Sequence, residues 1–136
     1  MSSLARDAMV SEPVSLDVTE TAQEAGKRLA DPEMRAVLVC DDGDLVGVVT
    51  RKTLVREVVA AGLDPRETLL RGIYEPPNFT LDAETPLDEA FHELEERDLE
   101  RVPVVENGRL VGVLSRAVVQ RRLAEDEPPP EPVEML

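Results

Sequence analysis

Most of what a reactive centre needs is missing from this sequence. There is one cysteine, Cys40, and one histidine, His92. No internal disulfide can form, and a zinc centre, which needs several thiolate or imidazole ligands, is not expected. No glycine-rich phosphate cradle is present, nor a nucleophile with a base to activate it, so an enzyme is not expected. Basic residues are few: 15 Lys and Arg against 29 Asp and Glu give a formal charge of −14. Such a field repels polyanions, which argues against nucleic acid or an anionic membrane surface as a partner. Any anionic ligand would need a local basic pocket. No apolar run approaches the roughly 20 residues of a spanning helix, and MSSLARDAMV lacks the hydrophobic segment of a signal peptide. The expectation is a cytoplasmic protein.

What is present is a sentence written twice. The chain has 136 residues, 42% of them hydrophobic, enough for one compact domain or two small halves sharing a core. Shifted by 65 positions against itself, it pairs Leu16-Asp17 with Leu81-Asp82, Ala25 with Ala90, Leu29 with Leu94, and Val37 and Val39 with Val102 and Val104. In the same register Gly43 to Arg51 overlies Gly108 to Arg116 with six of nine positions identical. A single ungapped offset across turn glycines and apolar positions indicates two structural repeats, here 6–62 and 73–124, with a connector at 63–72.

Each copy reads alike. Short extended stretches, Val14 to Leu16 and Phe79 to Leu81, precede polar clusters that start helices. In the second copy Thr85 is expected as N-cap, Pro86 as first helical residue and Asp88 as the capping-box acid. The buried stripe is Leu87, Ala90, Phe91 and Leu94, matched by the smaller Ala22, Ala25, Gly26 and Leu29. Two β-rich runs follow, joined by Asp42-Gly43 or Asn107-Gly108, both strong signals for a tight hairpin. A second helix is expected from Lys52 to about Ala61, ended by Gly62, with Ala117 to Leu123 as its counterpart. The fold class is therefore α/β (α+β), two pseudo-symmetric β-α-β-β-α repeats.

This order, with Leu-Val-Gly-Val-(Val/Leu)-(Thr/Ser)-Arg closing each hairpin, resembles the CBS domain, named after cystathionine β-synthase, which occurs as tandem pairs. The likeness spans about Arg6 to Leu123. It implies a disc-like homodimer of two pairs, a regulatory and non-catalytic role, and inter-repeat clefts that in many members bind AMP, ATP or S-adenosylmethionine, with no cofactor required. It also implies that the clefts are lined by Val14, Ser15, Ala36 and Val37 in one case, and by Phe79, Thr80, Arg101 and Val102 in the other. In the family pattern the hydroxyl residue closing the last strand is followed three positions later by an Asp that binds both ribose hydroxyls. Thr50 and Ser115 match the hydroxyl. The acid is absent twice: its positions hold Thr53 and Val118. A threonine can offer one neutral hydrogen bond in place of charge-assisted ones, and a valine none, so the first cleft is the better nucleotide candidate.

Thr50, Arg51 and Lys52 at a helix start can hold a phosphate through backbone N–H groups, a hydroxyl and two cations; the second copy offers Ser115 and Arg116 without the lysine. Two readings stay open for Arg51 and Arg116, solvated corner residues or anion ligands. Thr50 and Ser115 are helix caps whether or not they also bind. Cys40 reads as a small strand-end core residue, His92 as a surface residue, Tyr74 as packing between repeats. The acidic, proline-rich tail, 125–136, has the composition of a disordered segment. Two functional classes follow: a module sensing a small anionic metabolite such as an adenine nucleotide, or a ligand-independent dimeric scaffold for an unidentified protein partner.

Overall fold

Residues 3–11 and 13–126 are described by the computed structural model; the tail expectation lies, from residue 127 onward, outside the described residues. In chain order the first half holds α1 (Ala5–Ala8), β1 (Val10–Ser11), β2 (Ser15–Asp17), α2 (Ala22–Leu29), β3 (Val37–Asp41), β4 (Asp44–Val49) and α3 (Arg51–Leu54), which runs on as a π turn, Val55–Val59. A 3-10 turn, Leu70–Gly72, leads to β5 (Leu81–Asp82), α4 (Leu87–Glu96), β6 (Arg101–Glu106), β7 (Arg109–Ser115) and α5 (Arg116–Asp126). The mixed α/β repeat expected from the sequence is present twice. No helix among the described residues is long and apolar enough to cross a membrane.

The two hairpins form the frame. Asp42 and Gly43 take φ of 51° and 89°, Asn107 and Gly108 53° and 82°, so each two-residue loop is the primed turn whose twist matches the strands it joins. β2 lies parallel to β3 and β5 parallel to β6, and the sheet order β2-β3-β4-β7-β6-β5 joins both repeats through Asp44 beside Arg109. Around that junction Leu45 N donates to Gly108 O (3.0 Å) and Leu110 N to Gly43 O (3.1 Å), the same bond made twice across a pseudo-twofold axis. Alternating Val37, Val39 and Val49 bury under α2, and Val102, Val104 and Leu114 under α4. The expected helix stripes are buried at Ala22, Ala25 and Leu29 and at Leu87, Ala90 and Leu94.

Local boundaries depart from the sequence reading for identifiable reasons. The first strands begin later than expected, leaving Val14 and Phe79 just outside them. Thr85 is not the N-cap of α4: Pro86 occupies that place, and the Thr85 carbonyl instead accepts from Ala5 N at 2.8 Å. In the first repeat Thr21 does cap, accepting from Glu24 N at 3.2 Å. The helix expected over 52–61 starts at Arg51 and changes to π geometry, with Ala60 N donating to Val55 O at 2.8 Å. α5 extends beyond Leu123.

The segment ahead of each repeat packs on the other repeat. Ala5 N and Arg6 N donate to Thr85 O and Ala83 O; 65 residues on, Leu70 N and Arg71 N donate to Glu20 O and Val18 O. Leu87 N reaches Ser3 O, and Ala22 N reaches Thr68 O. β1 then pairs with β7 (Val10 beside Val113), whereas Glu75 pairs with Val48 of β4. Ala5 is accordingly part of the second core, and Leu70 and Ile73 part of the first. The stretch expected as a connector thus ends as a core element. The doubled Leu-Val-Gly-Val motif acquires its reason here: a Cβ on Gly47 would stand 2.5 Å from the Glu75 carbonyl oxygen, and one on Gly112 2.9 Å from that of Val10. The crossing leader leaves no room for a side chain.

Two outcomes are expected. Gly47→Ala forces backbone apart and should cost about 1–3 kcal/mol in urea unfolding, whereas Gly72→Ala, with open space around it, should be near neutral; equal effects would refute the close-approach account. Chains 1–62 and 63–136 expressed separately should each lack a cooperative melt followed by circular dichroism, because each has lost the leader that closes its core.

Candidate functional site

The residues singled out from sequence gather at one end of each repeat's sheet. In the first, Ser15 lies beside Leu38 and Val37 beside Val49, so Val14, Ser15, Ala36, Val37 and Thr50 sit across three adjacent strands, with Arg51 and Thr53 on the turn that follows. In the second, Leu81 beside Val104 and Arg101 beside Ser115 place Phe79, Thr80, Arg101, Val102, Ser115 and Arg116 in the same arrangement. The two sets do not converge: β4 and β7 run antiparallel from their shared junction, so Thr50 and Ser115 lie at opposite ends. Val37 and Val102 are buried in the cores and offer only backbone. Phe79 packs on the second core under the Arg97 guanidinium, 4.0 Å from its ring centre.

The position where the family pattern has an acid is the third residue of a helix. Thr53 Oγ1 accepts from Thr50 N (3.0 Å) while Thr50 Oγ1 accepts from Thr53 N (3.3 Å), and the two hydroxyls stand 3.1 Å apart. This is a capping box built from two threonines. Thr53 is wholly buried, and its hydroxyl is engaged inside the turn. In the second repeat Ser115 Oγ accepts from Val118 N at 3.4 Å, and Val118 has nothing to return.

Charge separates the two corners more sharply. Arg51 donates to the Asp31 carbonyl oxygen at 2.8 Å, and among the described residues it has no carboxylate partner; nor do Lys52 and Arg35, both exposed. At the second corner Arg116 is ion-paired with Glu100 and lies 3.6 Å from Asp98. Positions 35 and 100 are equivalent under the repeat offset, so the first repeat carries an arginine where the second carries the glutamate that pairs with its strand-end arginine. Sequence reasoning did not single out Arg35; aligning 35 with 100 in the repeat register would have found it.

A groove of about 380 Å³ runs between the repeats, bounded by Pro13, Ser15, Asp17, Cys40 and Gly43 on one side and Leu110 on the other. Hydrogen bonds from the Thr19 hydroxyl (2.7 Å) and amide (3.1 Å) hold the Asp17 carboxyl below its ordinary range. Burial pushes the Cys40 thiol up, consistent with a core residue and not a reactive one. His92 is exposed beside Glu96, and Tyr74 packs on the first core. Among the described residues no three His, Cys, Asp or Glu side chains are placed to hold a metal.

Comparison with known proteins agrees with this architecture. Hypoxic response protein 1 of Mycobacterium tuberculosis is 31% identical over 122 residues, covering 89% of this chain and 85% of its own. A crystal structure of Hypoxic Response Protein I with two coordinated zinc ions matches with a TM-score of 0.69 at 29% identity, covering 93% of this chain and all of the other. CBSX2 in complex with AMP matches at a TM-score of 0.69 and 22% identity over 90% and 96% of the two chains. A CBS domain pair in complex with 5′-methylthioadenosine and S-adenosyl-L-methionine matches at 0.64 and 20% over 93% of this chain and all of the other. The family model for the CBS domain matches residues 5–60 and again 70–125, and the chain belongs to the CBS domain family.

Proposed function

We propose that this chain is a non-catalytic regulatory module that takes up a small anionic metabolite at its first corner and works as a homodimer. The observation that carries this is the inverted charge: Arg51, Lys52 and Arg35 stand without carboxylate partners among the described residues, while Arg116 is neutralised by Glu100 and Asp98. In a protein of charge −14 adjacent cations free of carboxylates are where an anion finds local attraction against the overall repulsion. The adenine compounds bound by two similar structures, AMP in one and S-adenosylmethionine with methylthioadenosine in the other, support a nucleotide as the ligand class. Because neither Thr53 nor Val118 can replace a ribose-binding carboxylate, recognition falls on the phosphate, which ranks AMP and ATP above S-adenosylmethionine. Ser15, Ala36 and the backbone of Val37 then form the wall, and no cofactor is required.

Occupancy has a direct route to the rest of the molecule. β3 and β4 carry the corner at one end and the inter-repeat junction at the other, so a shift at Thr50 is felt at Asp44 and Arg109. A second reading, a ligand-independent scaffold for a protein partner, is favoured by one specific observation: the Thr53 hydroxyl is already bonded to Thr50.

A thermal-shift panel of AMP, ADP, ATP, S-adenosylmethionine, NAD and inorganic phosphate decides between them. A ligand at 100 times its dissociation constant stabilises the fold by about 2.7 kcal/mol. The expected result is a shift with phosphate-bearing ligands that Arg51→Ala abolishes and Arg116→Ala leaves intact. Silence across the panel would leave the scaffold reading; equal loss in both variants would overturn the assignment of the ligand to the first corner.

A further inference from the structure

Each corner meets the loop that enters the middle of its repeat, between α2 and β3 or between α4 and β6, and the two loops are built differently. In the second repeat α4 runs into Asp98 at a φ of 51°, where Asp98 N donates to Glu95 O (3.2 Å) and Leu99 N to Leu94 O (2.9 Å). This pair of bonds closes a helix on a left-handed residue, a place that glycine takes most readily. Here it holds an aspartate, and the Asp98 carboxylate lies 3.6 Å from the Arg116 guanidinium. Glu100 pairs with the same guanidinium through its side chain, and its carbonyl accepts from Arg116 N at 2.9 Å. One loop thus holds both the backbone and the side chain of the strand-end arginine, whose side chain is left 25% exposed.

The first repeat holds its arginine without a charge. No residue from Ala30 to Arg35 takes a positive φ; instead Asp31 folds the loop on itself, its carboxylate accepting from Glu33 N at 2.9 Å and its carbonyl from Met34 N at 3.0 Å. That carbonyl also accepts from the Arg51 guanidinium at 2.8 Å. Under the repeat offset Glu33 stands at the position of Asp98 and Arg35 at that of Glu100. A neutral carbonyl orients a guanidinium and leaves its charge uncompensated, whereas a carboxylate takes up both a donor and the charge.

From this contrast we infer that Asp98 and Glu100 determine the specificity of the second corner: their carboxylates stand in for an anionic ligand at Arg116, close that corner to phosphate, and limit the chain to one anionic ligand, taken at the first corner. The inference rests on the anion-binding reading above. The rest of the second corner is intact. Ser115 Oγ still accepts from Val118 N at 3.4 Å, and Arg116 opens an eleven-residue helix, α5. Val118 removes a contact to ribose and none to phosphate. What differs is the competition for the guanidinium. A phosphate arriving there must displace Glu100 and bring its charge against two carboxylates of a chain already at −14. Both acids belong to the chain, so dilution does not weaken their hold, whereas a free metabolite competes only at its own concentration. The ion pairs themselves are exposed and contribute little to stability, which separates their effect on ligand choice from any effect on folding.

Counting AMP bound per full-length chain by equilibrium dialysis tests this, with wild type beside the double variant Asp98→Asn, Glu100→Gln. Asparagine is accepted at a left-handed helix end, and both changes keep the side-chain shape, so the cooperative melt should be retained. The expected count is one AMP for wild type and two for the double variant, falling back to one when Arg116→Ala is added. If the double variant fails to fold, Glu100→Gln alone, at a side chain 72% exposed, decides by the same count. One AMP in both proteins, two in both, or a second site that survives Arg116→Ala would overturn the role of Asp98 and Glu100 and leave the first-corner reading standing. None in wild type and one in the double variant would overturn the first-corner reading and uphold the exclusion at the second. None in either would overturn both.

Discussion

The exchange of leader segments is the constraint on which the rest of the structure depends. Each half-sheet is too small to close alone: β2 and β5 are two or three residues long, and each core lacks one wall until the leader of the other repeat arrives. Ala5 seals the second core and Leu70 the first, so each repeat's core is completed by the leader of the other. A chain of this length buries only about two thirds of the surface it exposes when unfolded. Interlocking makes the pair one cooperative unit in place of two marginal ones. The glycines of the repeated motif, the late start of α4 and the diversion of the Thr85 carbonyl are all consequences of that one crossing.

Duplication produces two equal halves, and the functional content lies where they stopped being equal. A perfectly symmetric chain would place like residues against each other at the pseudo-twofold axis, either two acids or two arginines. Here Asp44 faces Arg109, 3.6 Å from carboxylate oxygen to guanidinium, and Arg109 also donates to the Asp42 carbonyl at 3.1 Å. One divergence thus turns a repulsion at the junction into an attraction, though at an exposed site it contributes little energy and mainly fixes register. Arg35 against Glu100 and Gly26 against Phe91 are divergences of the same kind with a different effect. Among the described residues they leave Arg51 without a carboxylate partner while Arg116 has two, and they put a glycine in α2 where α4 has a partly buried phenylalanine.

Much of this was legible in the sequence because the signals are local. The hairpins were fixed by two-residue loops that demand positive φ, and the helix stripes by their spacing; both survive any rearrangement of the halves. The leaders were not legible. Ala5 to Ser11 and Leu70 to Glu75 are short, carry little periodicity of their own, and take their structure from backbone pairing with strands far away in sequence. Their signature was present only indirectly, in glycines at 47 and 112 whose hairpins alone do not require them. The candidate corners fall where three strands meet a helix. Their difference in charge was missed because Arg35 and Glu100 lie outside the repeated motif, and Glu100 matters only through its contact with Arg116.

The missing acids take on a physical meaning once Thr53 is seen as a helix-capping residue. A carboxylate at the third position of a helix does two jobs at once, accepting the cap's backbone N–H and presenting a charge to whatever sits over the turn. Threonine keeps the first job and gives up the second; valine at 118 gives up both. The first repeat therefore retains a reciprocally capped corner with its arginine and lysine exposed, and the second one whose arginine is ion-paired. The helix that begins at Arg51 continues without a break through Leu54 into the π turn that carries Val55 and Val59. The corner arginine and the exposed Val55 and Val59 thus belong to one continuous helical segment nine residues long.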